Sequence, residues 1–196
     1  MNETLKYYDD QAESFVAGTV NVDFSAVQQE FATYVPTGGR ILDLGCGSGR
    51  DSKAFMNMGY QVVAVDGSQE LCRLASEIIG QEVIYATFQE YEPDAPFDGI
   101  WACASLLHLD ADTLKEMLKK YALALKPGGV FYVSFKYGDY SGMRNGRFFT
   151  DMNEAALNEM LKDIPTLKLE KTKITGDVRE DRANERWLNA FLKREN

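Results

Sequence analysis

Short runs of apolar residues alternate with longer amphipathic segments along most of the chain. The unbroken apolar runs are typical of strands, and they cover residues 40–44, 61–66, 82–88, 97–103 and 130–135. The segments between them have apolar residues at helical spacing, and they cover residues 48–58, 68–79 and 110–125. Apolar strands that alternate with helices indicate a parallel sheet with both faces covered. The pattern therefore predicts an α/β fold.

The pattern changes before the first strand. Residues 2–17 and 23–34 are predicted to be helices. Val27, Phe31 and Tyr34 lie on one face of the second helix, and Pro36 ends it.

The end of the chain departs from the alternation too. The segment KYGDYSGMRNGRFF, residues 136–149, is predicted to be a long polar loop. A helix over 151–161, capped by Thr150 or Asp151, should follow. Residues 166–175 alternate as an edge strand does. Residues 185–194 fit either a short uncapped helix or a strand, and we favour the strand, which predicts a terminal antiparallel hairpin.

Length, charge and cysteine content limit the classes of protein. A chain of 196 residues suits one domain, and its net charge of −9 opposes sequence-independent binding to nucleic acid. The three cysteines, Cys46, Cys72 and Cys103, lack metal-ligand spacing, and their odd number favours reduced thiols. We see no signal segment and no apolar stretch near 18 residues. We therefore expect a cytoplasmic protein with no metal site and no membrane or DNA partner.

The stretch RILDLGCGSGRDS, residues 40–52, carries the most informative chemistry. Its glycines have the spacing G-x-G-x-G, which differs from the dinucleotide fingerprint, and no lysine follows as in a P-loop. Asp43 lies two residues before the first glycine, where an acid repels pyrophosphate but suits a cation. Asp66 ends the next strand, where a carboxylate can accept both hydroxyl protons of a ribose. A ligand with a ribose, a cationic end and no phosphate is S-adenosylmethionine.

Three segments together resemble the class I S-adenosylmethionine-dependent methyltransferases over about residues 36–194. They are LDLGCGSGR (42–50), VVAVDGS (62–68) and LKPGG (125–129). The finer resemblance is to small bacterial enzymes of the tellurite-resistance or quinone-methylating type. The resemblance implies a Rossmann-like three-layer sandwich. Its seven-stranded sheet is mostly parallel, with an antiparallel last strand inserted beside the fifth. Residues 36–196 would then form the methyltransferase domain. We expect residues 1–35, with Tyr7, Tyr8 and Phe15, to form a helical lid segment over the site; the alternative is ordinary packing on the sheet.

The resemblance also implies cofactor contacts. Asp66 would bind the ribose and Asp43 would reach the methionyl amino group. The usual acid after the third strand is missing, so Phe88 packing on the adenine or Gln89 hydrogen bonding would replace it. The residues expected to bind the cofactor are Tyr8, Asp43, Gly45, Cys46, Gly47, Gly49, Arg50, Asp66, Gly67, Ser68, Phe88, Gln89 and Ala104.

The segment ACASLLHL, residues 102–109, bears on the methyl acceptor. It has neither the Asn-Pro-Pro-aromatic segment of base-amino methyltransferases nor a Pro-Cys nucleophile. This points away from DNA and leaves RNA, protein or a small molecule. His108, the only histidine, is either a structural imidazole bonded to the backbone or a functional group, as the general base or a substrate anchor.

Basic residues are concentrated in the two loops that begin at the ligand-binding edge of the sheet. They are Lys136, Arg144, Arg147, Arg179 and Arg182. Either they bind a small acceptor with an anionic group, or Asp177, Glu180 and Asp181 pair with them and stiffen the loops. On the first interpretation Arg147 contacts the acceptor, and Tyr137 or Trp187 lines its pocket.

We therefore expect a methyltransferase that acts on a small molecule by direct in-line transfer. Two alternatives remain open besides an RNA or protein acceptor. One is an S-adenosylmethionine-binding protein without transferase activity, and the other is a nicotinamide-dependent oxidoreductase.

Overall fold

A computed structural model describes residues 3–179, 182 and 184–195. Within these residues the α-helices are α1 (Glu3–Asp10), α2 (Ala12–Thr19), α3 (Ser25–Ala32), α4 (Arg50–Asn57), α5 (Gln69–Ile79), α6 (Ala111–Ala124) and α7 (Glu154–Leu161). The strands are β1 (Arg40–Leu44), β2 (Gln61–Asp66), β3 (Ile84–Tyr85), β4 (Phe97–Ala102), β5 (Leu125–Lys136), β6 (Ser141–Arg144), β7 (Arg147–Thr150), β8 (Leu167–Gly176) and β9 (Arg186–Arg194). A short 3-10 helix spans Leu106–His108.

Seven of the strands form one sheet in the order β3-β2-β1-β4-β5-β9-β8. Strands β1 to β5 pair in parallel, and β9 is antiparallel to both of its neighbours, β5 and β8. The predicted α/β fold, with a mostly parallel sheet and an inserted antiparallel last strand, is confirmed. The strand order reverses between β1 and β4, and in such sheets ligands bind outside the carboxyl ends of the strands at this point.

Alternating residues of the central strands pack on opposite faces of the sheet. Leu42 and Leu44 face a cluster that contains Leu118 of α6 and Leu157 of α7. Ile41 faces the other cluster, in which the α3 residue Phe31 contacts Trp101 with ring centroids 5.0 Å apart. Each face of the sheet is therefore covered by helices, which makes the predicted three layers.

Side-chain caps determine where several helices begin. The Ser68 hydroxyl accepts from the Leu71 amide at 3.2 Å, so Ser68 caps the start of α5. The predicted cap of α7 is wrong, because Asn153 accepts from the Ala156 amide and the helix begins at Glu154. Thr150 belongs to β7 instead, and Asp151 pairs with Arg144.

Three further predictions about elements are corrected by the structure. The helix expected over 2–17 is two helices, because the backbone at Gln11 leaves the helical region (φ −115°, ψ 13°). The strand expected over 82–88 is paired only at Ile84–Tyr85. The loop expected over 136–149 contains the antiparallel hairpin β6–β7, which turns at Asn145 and Gly146.

None of the helices in the described part of the chain is both long enough and apolar enough to cross a membrane.

Candidate functional site

An open cavity lies at the carboxyl ends of the parallel strands, beneath α1, α2 and the β6–β7 hairpin. Its walls contain these residues predicted from the sequence to bind ligands: Tyr8, Gly45, Cys46, Gly47, Arg50, Asp66, Gly67, Phe88, Gln89, Ala104, His108, Arg147 and Trp187. The other predicted residues, Asp43, Gly49, Ser68 and Tyr137, lie outside these walls. Segments distant in sequence therefore meet around one space.

The glycine loop after β1 forms one wall of the cavity. Gly45 has a φ of +80°, and a Cβ there would lie 2.5 Å from the Ser105 Cβ. The amides of Gly45 and Cys46 both donate to the Val65 carbonyl, at 2.8 and 3.0 Å. The loop therefore needs glycine for its left-handed backbone and for its close approach to the floor of the cavity.

Asp66, at the end of β2, holds the glycine loop in place. One carboxylate oxygen accepts from the Gly47 amide at 2.8 Å, and the other accepts from the Ser68 amide at 2.9 Å. Burial raises the pKa of Asp66, while these amide hydrogen bonds oppose the rise. A carboxylate has about four lone-pair sites, so acceptor capacity remains on the cavity side for a diol.

Asp43 lies behind the glycine loop and is almost fully buried. It accepts from the Ser52 hydroxyl at 2.6 Å. Burial and the nearby Asp51 carboxylate raise the pKa of Asp43 to about 8. A cation placed near it would lower that pKa, which is the response expected of a site for an ammonium group.

Asp51 is the centre of a buried network that the sequence did not predict. It accepts from the Gln28 amide at 2.6 Å, from Trp101 Nε1 at 2.9 Å and from the Arg50 guanidinium at 2.8 and 2.9 Å. The guanidinium also lies over the Phe24 ring, 4.7 Å from its centroid. Arg50 is therefore fixed at the cavity wall, where it can meet an anionic group.

The floor of the cavity contains a strained residue at the end of β4. Ala104 has a φ of +51°, a left-handed conformation that costs a non-glycine residue about 1–2 kcal/mol. Its amide donates to the Ser134 hydroxyl at 2.8 Å, and the adjacent Ser105 hydroxyl donates to the Leu44 carbonyl at 2.6 Å. Strain held by such bonds is typical of ligand-binding sites.

Helices α1 and α2 cover the cavity from above. Asp9 accepts from the Ser68 hydroxyl at 2.6 Å and from the Glu70 amide at 3.3 Å, which fixes α1 to the start of α5. The Thr4 hydroxyl accepts from the Phe148 amide at 3.0 Å, which fixes α1 to β7. Tyr8 and Phe15 line the cavity with their rings in edge contact, 5.3 Å between centroids. Asp9 has no signal in the sequence beyond its place on a predicted helix.

His108 is part of the cavity wall, and both of its ring nitrogens are engaged. Nδ1 lies 2.6 Å from the Phe148 carbonyl oxygen, which can only accept, so Nδ1 carries the proton. Nε2 of the neutral ring then accepts from the Tyr8 hydroxyl at 2.8 Å. Burial and the nearby Arg147 lower the pKa of His108 to about 4, although the Phe148 hydrogen bond opposes this.

Acidic side chains pair with most of the predicted basic residues that the structure describes. Lys136 pairs with Glu185, and Arg144 donates to Asp151 at 2.8 Å. Arg179 donates to both oxygens of Asp177, at 2.9 and 2.7 Å, and Trp187 Nε1 donates to Asp177 at 3.0 Å. The side chain of Asp177 thus stiffens its loop, and these donors keep its pKa at about 2 despite partial burial. The predicted partners Glu180 and Asp181 lie outside the described residues.

Arg147 differs from the other basic residues. Among residues 3–179, 182 and 184–195, no carboxylate lies within ion-pair distance of it, and its buried Nε has no hydrogen-bond partner. Its guanidinium lies over the Tyr7 ring at 4.5 Å and the Phe149 ring at 5.1 Å, and Nη1 lies 3.3 Å from the Tyr8 hydroxyl. A guanidinium that lies over aromatic rings and has an N–H without a hydrogen-bond acceptor is suited to an anionic ligand.

The described residues contain no cluster of histidine, cysteine and carboxylate groups that could hold a metal ion. The residues that line the cavity fall into two groups, which form two chemically different halves. The glycine loop and Asp66 form one half, Arg147 and Trp187 lie in the other, and Tyr8 lies between them.

Comparison with known proteins identifies methyltransferases that this chain resembles. The family model of a methyltransferase domain matches residues 41–129, which contain the glycine loop and Asp66. Ubiquinone biosynthesis O-methyltransferase of Xanthomonas axonopodis pv. citri is 34% identical over 106 residues, which are 50% of this chain and 44% of that protein. The match thus spans less than half the length of that relative.

Two other proteins match over more of the chain. An uncharacterized methyltransferase of Staphylococcus carnosus is 26% identical over 156 residues, 76% of this chain and 74% of that protein. The crystal structure of Burkholderia thailandensis 1,6-didemethyltoxoflavin-N1-methyltransferase, with bound 1,6-didemethyltoxoflavin and S-adenosylhomocysteine, superposes with a TM-score of 0.70. That alignment covers 97% of this chain and 90% of the other at 23% identity, so it establishes likeness of fold.

Proposed function

We propose that this chain, as a class I S-adenosylmethionine-dependent methyltransferase, methylates a small molecule that bears an anionic group. The observation that carries the proposal is the single cavity with two chemically different halves. A donor with a ribose and an ammonium group suits the half that contains Asp66, and an anionic acceptor suits Arg147.

The residues of the chain fit the donor. Asp66 accepts the ribose hydroxyl protons, the glycine loop permits close approach, and Phe88 packs on the adenine beside Gln89. Asp43 attracts the ammonium group from behind the loop, and Arg50 meets the carboxylate. S-adenosylmethionine supplies a methyl group already activated on sulfur, so the protein mainly positions the two reactants and excludes water.

Helices α1 and α2 act as the cover that excludes water. Tyr8 and Phe15 line the cavity from these helices, whereas α3 carries Phe31 in the core beneath the sheet. We therefore restrict the lid expected over residues 1–35 to its first two helices.

The names of two similar proteins support a small acceptor. One is named for ubiquinone biosynthesis, and the other binds 1,6-didemethyltoxoflavin in its crystal structure. Both names refer to methylation of small molecules. The anionic group is inferred separately, from Arg147.

Calorimetry with S-adenosylmethionine, S-adenosylhomocysteine and NAD tests the donor. We expect binding of the first two and none of NAD. Transfer from methyl-labelled donor to the low-molecular-weight fraction of a cell extract then tests the acceptor, with anion exchange to show that the product is charged. Binding without transfer would favour the binding-protein alternative, and tight NAD binding would overturn the assignment.

A further inference from the structure

The contacts of His108 argue against direct contact between its imidazole and the methyl acceptor. Nδ1 donates to the Phe148 carbonyl, and Nε2 is occupied by the Tyr8 hydroxyl. The Tyr8 oxygen, in contrast, lies between His108 and Arg147 at the cavity wall. Tyr8 can therefore meet a nucleophile that an anionic group holds at Arg147.

We propose that Tyr8 and His108 form a proton-accepting pair for the nucleophile, and that an anion bound at Arg147 makes this pair a stronger base. The inference rests on the proposed function and specifies a role for residues of the same cavity. Tyr8 would be the catalytic residue, and His108 would act through it.

Each proton in the methyl-transfer step has a donor and an acceptor. As the nucleophile bonds to the methyl carbon, its proton moves to Tyr8 Oη, and the Tyr8 proton moves to His108 Nε2. His108 becomes an imidazolium whose Nδ1–H still donates to the Phe148 carbonyl. The extra proton returns to solvent when the product leaves.

The charges around His108 explain why an anion is needed. Arg147 on β7 and Lys136 on β5 face the imidazole, and both disfavour its protonation. Glu185 already pairs with Lys136, whereas no carboxylate of the described residues lies within ion-pair distance of Arg147. An acceptor carboxylate on Arg147 would remove the repulsion, so the base would strengthen only when the acceptor is in place.

Nitrogen-15 NMR tests the pair directly, because His108 is the only histidine in the chain. Labelled protein with S-adenosylhomocysteine is titrated alone, with benzoate, and with benzamide as the neutral control. We expect a neutral ring protonated at Nδ1 between about pH 5 and pH 8. Benzoate should raise the titration midpoint by about one pH unit or more, and benzamide should not.

Variants separate the parts of the proposal. Arg147→Gln should raise the midpoint without benzoate and abolish the response to it. Tyr8→Phe should shift the Nε2 resonance, while the matched control Tyr7→Phe, one residue away, should leave it in place. A ring protonated at Nε2, or a midpoint unchanged by benzoate or by Arg147→Gln, would overturn the proposal. Calorimetry with S-adenosylhomocysteine on the same sample tests the proposed function separately.

Discussion

At the scale of single residues, Asp66 has two tasks. It accepts two backbone amides of the glycine loop and helix α5, and we expect it to bind the ribose. Each charge-assisted hydrogen bond contributes about 1.5–3 kcal/mol, so Asp66→Asn should weaken donor binding roughly 10- to 100-fold. The control is Asp112→Asn, an exposed acid in the first turn of α6. Calorimetry with S-adenosylhomocysteine measures both variants, and equal affinities would show that the ribose binds elsewhere.

We expect Asp43 to make donor binding depend on pH. Because burial and the nearby Asp51 raise its pKa, we expect the carboxyl to be largely protonated at pH 6.5 before the ligand binds. An arriving ammonium group favours the carboxylate, so the proton leaves on binding. Affinity should therefore rise with pH below about 8, the pKa of the free site.

The released proton can be counted by calorimetry at pH 6.5 in buffers with different heats of ionisation. We expect proton release from the wild-type protein and almost none from Asp43→Asn, which cannot ionise. Equal release from both proteins would mean that another group titrates.

At the scale of elements, the β6–β7 hairpin carries Arg147 to the cavity. Its turn places Gly146 at a φ of +78°, and a Cβ there would lie 3.3 Å from the Tyr7 ring. Gly146→Ala should cost about 1–2 kcal/mol of unfolding free energy, because the left-handed backbone strains an alanine. The control is Gly18→Ala in α2, where nothing lies within 4 Å, and it should stabilise by about 0.5–1 kcal/mol. The changes in unfolding free energy measured in urea should have opposite signs for the two variants. An unchanged unfolding free energy for Gly146→Ala would contradict the strained turn.

Elements with strong periodicity could be predicted from the sequence, and weakly patterned ones could not. The strands β1, β2, β4 and β5 are buried on both faces, so their apolar runs are unambiguous. The hairpin was missed because each strand has four residues and the segment is rich in polar residues and glycine. The Asn145-Gly146 pair was an available signal for it.

Within the site, the contacts that could be predicted are those between residues at the ends of neighbouring strands. The glycine loop and Asp66 lie at the ends of adjacent strands, so their meeting follows from the parallel sheet. Tyr8 and His108 are separated by 100 positions, and their hydrogen bond depends on how α1 docks on the sheet. Sequence periodicity contains no information about that docking, so it does not decide whether His108 is structural or functional.

At the scale of the whole molecule, we expect the residues of the core to determine stability and the helices that cover the cavity to contribute to ligand binding. Phe31 of α3 is fully buried against Phe55, Trp101 and Tyr132. Phe15 of α2 contacts Tyr8 and the glycine loop at the cavity, where a Cβ on Gly47 would lie 3.0 Å from its ring. Replacing Phe31 by alanine should therefore mainly reduce stability, and replacing Phe15 by alanine should mainly weaken ligand binding.

Phe31→Ala should lower the unfolding free energy by about 3–5 kcal/mol, because it opens a cavity in the core. Phe15→Ala should leave most of the stability and weaken S-adenosylhomocysteine binding roughly tenfold, because apolar contact with the ligand is lost. Urea unfolding and calorimetry on both variants measure the two effects. If Phe15→Ala destabilised the fold as much as Phe31→Ala, α2 would belong to the core. The cover would then be confined to α1, whose Asp9 and Thr4 hold it to α5 and β7.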